Sequence, residues 1–294
     1  MAWTSDESFA RLETADNDDG EHDGDFTASE GEGADDQGRT PPLVWVAFIF
    51  PALAGLNFGY DIGATGGALQ QLRLGGGAVL DSSPVLLGLL TSGSLAGAVM
   101  GIILSFLLAG PLGRRGELLL GAALYMAGTL ITCYAPRGAD LLTHVLVGRL
   151  IYGMGFAFCM HAAPVYIAET STPSTRGLLV SLKEGFIVFG ILLGFGASAA
   201  ALACSLPHWQ AWRYIWAPPA LLSFVVFLGM LPMPESPRWL VVRAKAEAGG
   251  WRDGASELAD AAHALRRLRS STLCGPPQCE EQAIVREVSI HVCM

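Results

Sequence analysis

The chain has 294 residues, 51% of them hydrophobic and only 15% charged, with a mean hydropathy of +0.42. Soluble domains average about 25% charged residues, so the composition argues against a soluble globular enzyme. Six cysteines are too few for a secreted disulfide scaffold, and Cys133, Cys159 and Cys204 lie in or at the ends of apolar runs. Many of the 36 glycines fall within apolar runs, as in membrane helices, where small residues let backbones approach.

The net charge of −9 is unevenly divided. Residues 1–40 hold 13 acidic and two basic side chains, a net of −11, and the remainder carries +2. Residues 1–42 therefore read as a disordered acidic tail, too poor in aliphatics to offset the entropy of ordering. The tail lacks the apolar core of a secretory signal, and its acidity is opposite to that of a transit peptide.

About 20 apolar residues cross the hydrocarbon core as a helix. Six runs qualify within residues 43–233: approximately Leu43–Gly63, Pro84–Ala109, Glu117–Tyr134, Leu141–Ile167, Leu178–Ala203 and Tyr214–Met233. Short connections separate them, among them GPLGRRG, APRGAD, TSTPSTRG and SLPHWQAW. The even connections and the segment after run six carry Arg114, Arg115, Arg176, Arg238, Arg243 and Lys245, against Arg73, Arg137 and Arg213 on the other side. The positive-inside rule then places both termini in the cytosol. Residues 234–269 read as cytosolic amphipathic helices, and residues 270–294 as an unrelated tail. Cys274, Cys279, His291 and Cys293 lack the spacing of a zinc site, so no metal or other cofactor is expected.

Charges inside the spans carry the functional information, because each costs roughly 2.5–3.5 kcal/mol at mid-bilayer. Asp61 falls at the outer end of run one and Arg149 about eight residues into run four. At about 1.5 Å per residue the two reach similar depth and can pair. A contact that is alternately made and broken would bind and release a proton; a fixed ion pair would merely join two helices. Lys183 can snorkel to the cytosolic side. Glu184 faces either the bundle interior or the neighbourhood of Lys183, as a substrate contact or a second titrating site. Gly59, Gly63 and Gly67, and likewise Gly93, Gly97 and Gly101, are one turn apart and form small faces for helix crossing. The three-plus-three order fits an inverted repeat, with Asp61 and Arg149 on the first helix of each triplet.

The motifs GYDIGATGG, LGRR, GRLIYGMGFAF, PVYIAETSTPSTRG, WRY and PESPRWL, in this order, resemble the N-terminal half of the sugar-porter family of the major facilitator superfamily over residues 43–245. SLKEGFIVFG is similar to the plant and algal D-xylose–proton symporter-like branch. The resemblance implies an all-α membrane protein with six transmembrane helices, one half of a twelve-helix carrier, and transport of a hexose or pentose with a proton. It implies Asp61 and Arg149 as the proton-coupling pair. It implies Arg114, Arg115, Glu169, Arg176, Glu235 and Arg238 as a cytosolic gating cluster. Glu184 and Ile191 stand where relatives carry sugar-binding glutamines, and Gly110 and Pro111 replace an Asp-Arg before LGRR.

The expected partners are the sugar, the proton and the bilayer, with a second half-transporter or a full-length relative completing the carrier. An incomplete N-terminal half is the expected product; a non-transporting half that associates with or regulates a full-length carrier is the alternative. The branch occupies vacuolar, Golgi and plastid membranes, and the acidic leader favours the vacuole or another endomembrane over the plastid envelope. An enzyme is not expected, since His144, His161 and His208 lack suitably spaced carboxylate or Cys partners. Nor is nucleic-acid binding, for Arg266, Arg267 and Arg269 fit the cytosolic membrane face better.

Overall fold

Proline opens four of the six helices, a position where its missing N–H costs nothing and its fixed φ suits the first turn. The structure, a computed structural model, describes residues 42–76, 84–136, 138, 140–171, 173–204, 207–236, 238–240 and 242–243. Its helices are α1 (Pro42–Gly76), α2 (Pro84–Cys133), α3 (Leu141–Thr170), α4 (Pro173–Ala203), α5 (His208–Trp216) and α6 (Pro218–Met230). The expected tails at 1–42 and 270–294 lie outside the described residues, apart from Pro42. So does most of the amphipathic region 234–269, of which 238–240 and 242–243 are helical.

Among the described residues, five stretches are long and apolar enough to cross a membrane, and α5 with α6 supplies one of them, Trp209–Met230. The 50 residues of α2 would extend about 75 Å if straight, more than twice the ~30 Å of hydrocarbon. They do not stay straight. Gly113, at φ +73, breaks the helix into two arms, and Pro111 just before it removes a backbone donor. A Cβ at Gly113 would lie 2.9 Å from Glu235 Oε2 and 3.1 Å from the Trp239 ring, so both conformation and space demand glycine. The bend gives α2 two stretches of spanning length, six among the described residues.

Reciprocal glycine contacts pair the helices. Gly59 and Gly63 of α1 meet the carbonyls of Ile187 and Ile191 on α4, while Gly190 and Gly194 of α4 meet Leu56 and Tyr60 of α1. In the same manner Gly97 and Gly101 of the first α2 arm abut Leu150 and Met154 of α3, and Gly153 of α3 abuts Ser94. The first helix of each triplet thus packs on the second helix of the other, the exchange an inverted repeat produces.

Several boundaries differ from the expected runs, among them the start of α4, at Pro173 rather than Leu178. Run one is expected to end at Gly63, but α1 continues to Gly76, with Gly63 and Gly67 lying against Ile191 and Ser198 of α4. Asp61 therefore sits within the helix, not at its end. The SLPHWQAW connection is helical from His208, as α5, with Tyr60 OH donating to the Ile215 carbonyl at 2.8 Å. The outward sides of the first α2 arm (Val99, Phe106, Leu107) and of α4 (Val188, Leu192, Phe195) are exposed and apolar, a surface suited to lipid or to another apolar bundle.

Candidate functional site: a buried ion pair and a charge cluster at the bend

The long α1 brings Asp61 to α3, where Arg149 Nη1 donates to its Oδ1. Both residues are buried, at 6% and 3% exposure. Arg149 Nη2 donates to Thr65 Oγ1 at 3.1 Å and to Ser94 Oγ at 3.0 Å. The same hydroxyls turn their hydrogens to the carboxylate, Thr65 to Oδ1 at 3.3 Å and Ser94 to Oδ2 at 3.5 Å. Each hydroxyl accepts from one charge and donates to the other, which a hydroxyl can do and an amide N–H cannot. The Trp216 ring lies 5.1 Å from the guanidinium carbon and Tyr152 5.8 Å, so aromatic faces meet the cation where, among the described residues, no further carboxylate does. Neutralising Asp61 with a proton would leave the cation to these hydroxyls and rings.

At the bend of α2, four of the six residues expected in the charge cluster come together. Arg114 Nε lies 3.8 Å from Glu169 Oε2, which also accepts from the Ser236 hydroxyl. Arg115 covers the open end of α6, donating to the carbonyls of Met230 at 3.1 Å and Leu231 at 2.5 Å; a cation belongs at that end of the helix dipole. Its backbone N–H donates to Glu235 Oε2 at 3.3 Å. Burial raises the Glu235 carboxyl above the ordinary glutamate range, opposed by that N–H and by the two guanidiniums. Tyr166 OH donates to the Pro234 carbonyl at 3.0 Å, and Trp239 Nε1 to that of Gly110 at 3.0 Å. The other two stand apart. Arg238 is exposed and Arg176 half-buried, and among the described residues neither forms an ion pair with Glu169 or Glu235.

On α4 the expected orientation of one pair is reversed. Lys183 does not snorkel: it is 2% exposed, with its stem toward Gly55 of α1. Glu184 carries the exposed side chain, at 62%, and takes the Lys183 Nζ donor at 2.7 Å. Helical spacing places Lys183, Ile187 and Gly190 along the seam with α1 and turns Glu184 out of it. Ile191, two turns beyond Glu184, is half-buried, with its carbonyl against Gly63.

Sequence reasoning missed a second buried carboxylate. Glu117, expected only to begin run three, is fully buried. Its Oε1 accepts from the Ser105 hydroxyl at 2.6 Å and faces His161 Nδ1 at 3.1 Å. His161 thus has a carboxylate partner after all. The two are 44 residues apart on different helices, so no local spacing announces the pair. The one available signal was a carboxylate three residues past Arg114 in an apolar helix.

Residues 47–260 match the family model described as sugar (and other) transporter. The chain belongs to that family. It is 47% identical over 226 residues to D-xylose-proton symporter-like 3, chloroplastic, of Arabidopsis thaliana, covering 74% of this chain and 39% of the relative. It is 36% identical over 211 residues to the human proton myo-inositol cotransporter, covering 72% and 31%. The xylose transporter XylE from E. coli, in an inward-open conformation, superposes with a TM-score of 0.68 at 24% identity, over 85% of this chain and 56% of that one. The fold is that of the major facilitator superfamily. The chain spans about two fifths or less of the length of these two curated relatives. Membership of the sugar transporter family makes it an integral membrane protein of a transporter rather than an enzyme family.

Proposed function

We propose that this six-helix bundle serves as one half of a proton-coupled carrier for a hexose or pentose. The observation that carries the reading is the buried Asp61–Arg149 pair, held by hydroxyls that can stabilise either charge and, among the described residues, by no second carboxylate. The relatives' names, D-xylose–proton symporter-like and proton myo-inositol cotransporter, support the cargo class and the coupling ion. Asp61 takes the proton, and Arg149 is the partner it releases. Glu184 and Ile191 share one side of α4 and face the sugar. Arg114, Arg115, Glu169 and Glu235, with Arg176 and Arg238 flanking them, gate the end of the bundle at the α2 bend. The lysine and arginine balance assigns that end, and both termini, to the cytosol.

A second bundle rocking against this one supplies alternating access. The exposed apolar sides of α2 and α4 suit such a partner, and they equally support association with a full-length carrier in a regulatory role. For the compartment, the acidic leader favours the vacuole or another endomembrane, although one similar Arabidopsis protein is named chloroplastic. Fluorescence of a tagged chain decides it.

The transport test uses vesicles containing this chain together with a second six-helix bundle of the family, with labelled hexose or pentose and an imposed pH gradient. Asp61→Asn abolishes gradient-driven accumulation while sugar exchange persists. Undiminished accumulation in that variant defeats the reading. Co-purification with a full-length relative, without uptake by any pairing of bundles, favours the regulatory role instead.

A further inference from the structure

We propose that Glu117 and His161 form a second proton-binding site, which shares Arg114 with the charge cluster at the α2 bend. On α3, His161 is twelve residues beyond Arg149, about 18 Å along the axis. One helix therefore carries a partner of each buried carboxylate, at two well-separated levels. The inference deepens the proton-coupled reading and rests on it for the direction of proton flow; proton binding itself does not depend on Asp61.

The geometry is that of an incompletely compensated carboxylate. Glu117 Oε1 has two polar neighbours, but Oε2 is buried with no hydrogen bond among the described residues. Its closest cation, Arg114 Nη1, is 3.9 Å away, and the same guanidinium lies 3.8 Å from Glu169 through Nε. Buried polar atoms are nearly always hydrogen-bonded, so an orphaned carboxylate oxygen is costly.

Around the site, the first α2 arm offers only Ser105, with the Phe106 ring 5.3 Å from His161. The second arm offers Arg114 and Glu117. From α3 come His161, Glu169 and Cys159, whose thiol faces the Leu118 carbonyl at 4.0 Å. Glu235, after α6, lies close enough to feel Arg114, and is itself paired with the Arg115 N–H.

Two carboxylates, Glu117 and Glu169, thus share one guanidinium. With a neutral imidazole the set keeps one excess negative charge, and one added proton cancels it. The entry point is the imidazole, whose side chain is 23% exposed while that of Glu117 is fully covered. A hydronium ion gives its proton to Nε2, its O–H bond breaking as the N–H bond forms and water leaving, while Nδ1–H donates to Glu117 Oε1. With Glu117 matched by the imidazolium, Arg114 turns fully to Glu169, and through Ser236 that contact reaches the segment following α6. Occupancy of the site is thereby read by the cluster assigned to gating.

The test is a pH titration of the full chain in lipid nanodiscs, with histidine ring nitrogens labelled for NMR and His161 assigned by the His161→Gln variant. His161 takes up one proton in a single step. Glu117→Gln weakens that proton binding about tenfold or more, since the neighbouring negative charge is gone, and Glu117→Asp weakens it less. Asp61→Asn leaves the step where it was. A His161 that takes up no proton while the chain stays folded overturns the proposal, as does a step that neither Glu117 variant moves. If Asp61→Asn leaves gradient-driven uptake intact while Glu117→Gln still displaces the His161 step, the coupling reading fails and the second site stands.

Discussion

Asp61→Asn keeps the size of the side chain and removes its charge, leaving Arg149 buried as an uncompensated cation. Removing one partner of a buried pair costs about 3–5 kcal/mol. The low end, about 3 kcal/mol, applies here, because the amide oxygen still accepts from Nη1 while Thr65 and Ser94 continue to accept from Nη2 at 3.1 and 3.0 Å. The Trp216 and Tyr152 rings help to hold the cation but do so in the native chain too. Arg149→Gln costs less than Asp61→Asn, because an abandoned carboxyl can shed its charge by taking a proton whereas a guanidinium cannot. The double variant places two amides side by side, with a coupling energy of about 2 kcal/mol, within the usual range for contacting residues. Reversible unfolding in mixed micelles measures all three. If the single costs add to within about 0.5 kcal/mol in the double variant, as for independent sites, the two side chains do not act as a pair and the structural basis for coupling is lost.

Helix packing makes a sharp contrast between glycines. An alanine Cβ at Gly97 strikes the Leu150 backbone, whereas at Gly66 it meets nothing within 4 Å. Gly97→Ala should lower stability by about 1–3 kcal/mol, the cost of overpacking, while Gly66→Ala should not lower it; thermal unfolding in detergent compares them. Glu184→Leu should cost about 3 kcal/mol by stranding the buried Lys183 ammonium, and adding Lys183→Met should recover most of that loss in the same assay. Glu235 holds its proton more tightly in the folded chain than in the unfolded one. Through the pH window above the ordinary glutamate range, its contribution to stability therefore falls as pH rises. Glu235→Gln, which keeps an acceptor for the Arg115 N–H, should flatten the pH dependence of the unfolding free energy there.

The six crossings were legible because hydrocarbon thickness sets a minimum length that any spanning helix must meet, and length is a property of the sequence alone. The rarity of charge made Asp61, Arg149, Lys183 and Glu184 stand out for the same reason. Even the two arms of α2 were visible as separate runs, since GPLGRRG interrupts them, although only the φ of Gly113 and its contacts with Glu235 and Trp239 explain how the chain turns there.

Which way a side chain faces was a different matter. In water an amphipathic helix declares its inner face by periodicity, but these helices are apolar both where they meet one another and where they meet lipid. Nothing in SLKEG distinguishes Lys183 from Glu184; the seam with α1 does, by burying one and turning out the other. Glu117 and His161 likewise become neighbours only because α3 lies against the second arm of α2, with Gly155 beside Tyr125 and Gly121 beside Cys159. Span length and charge content belong to the chain itself. Partners belong to the packing, because a surface apolar on every side leaves helix contacts to choose among its faces.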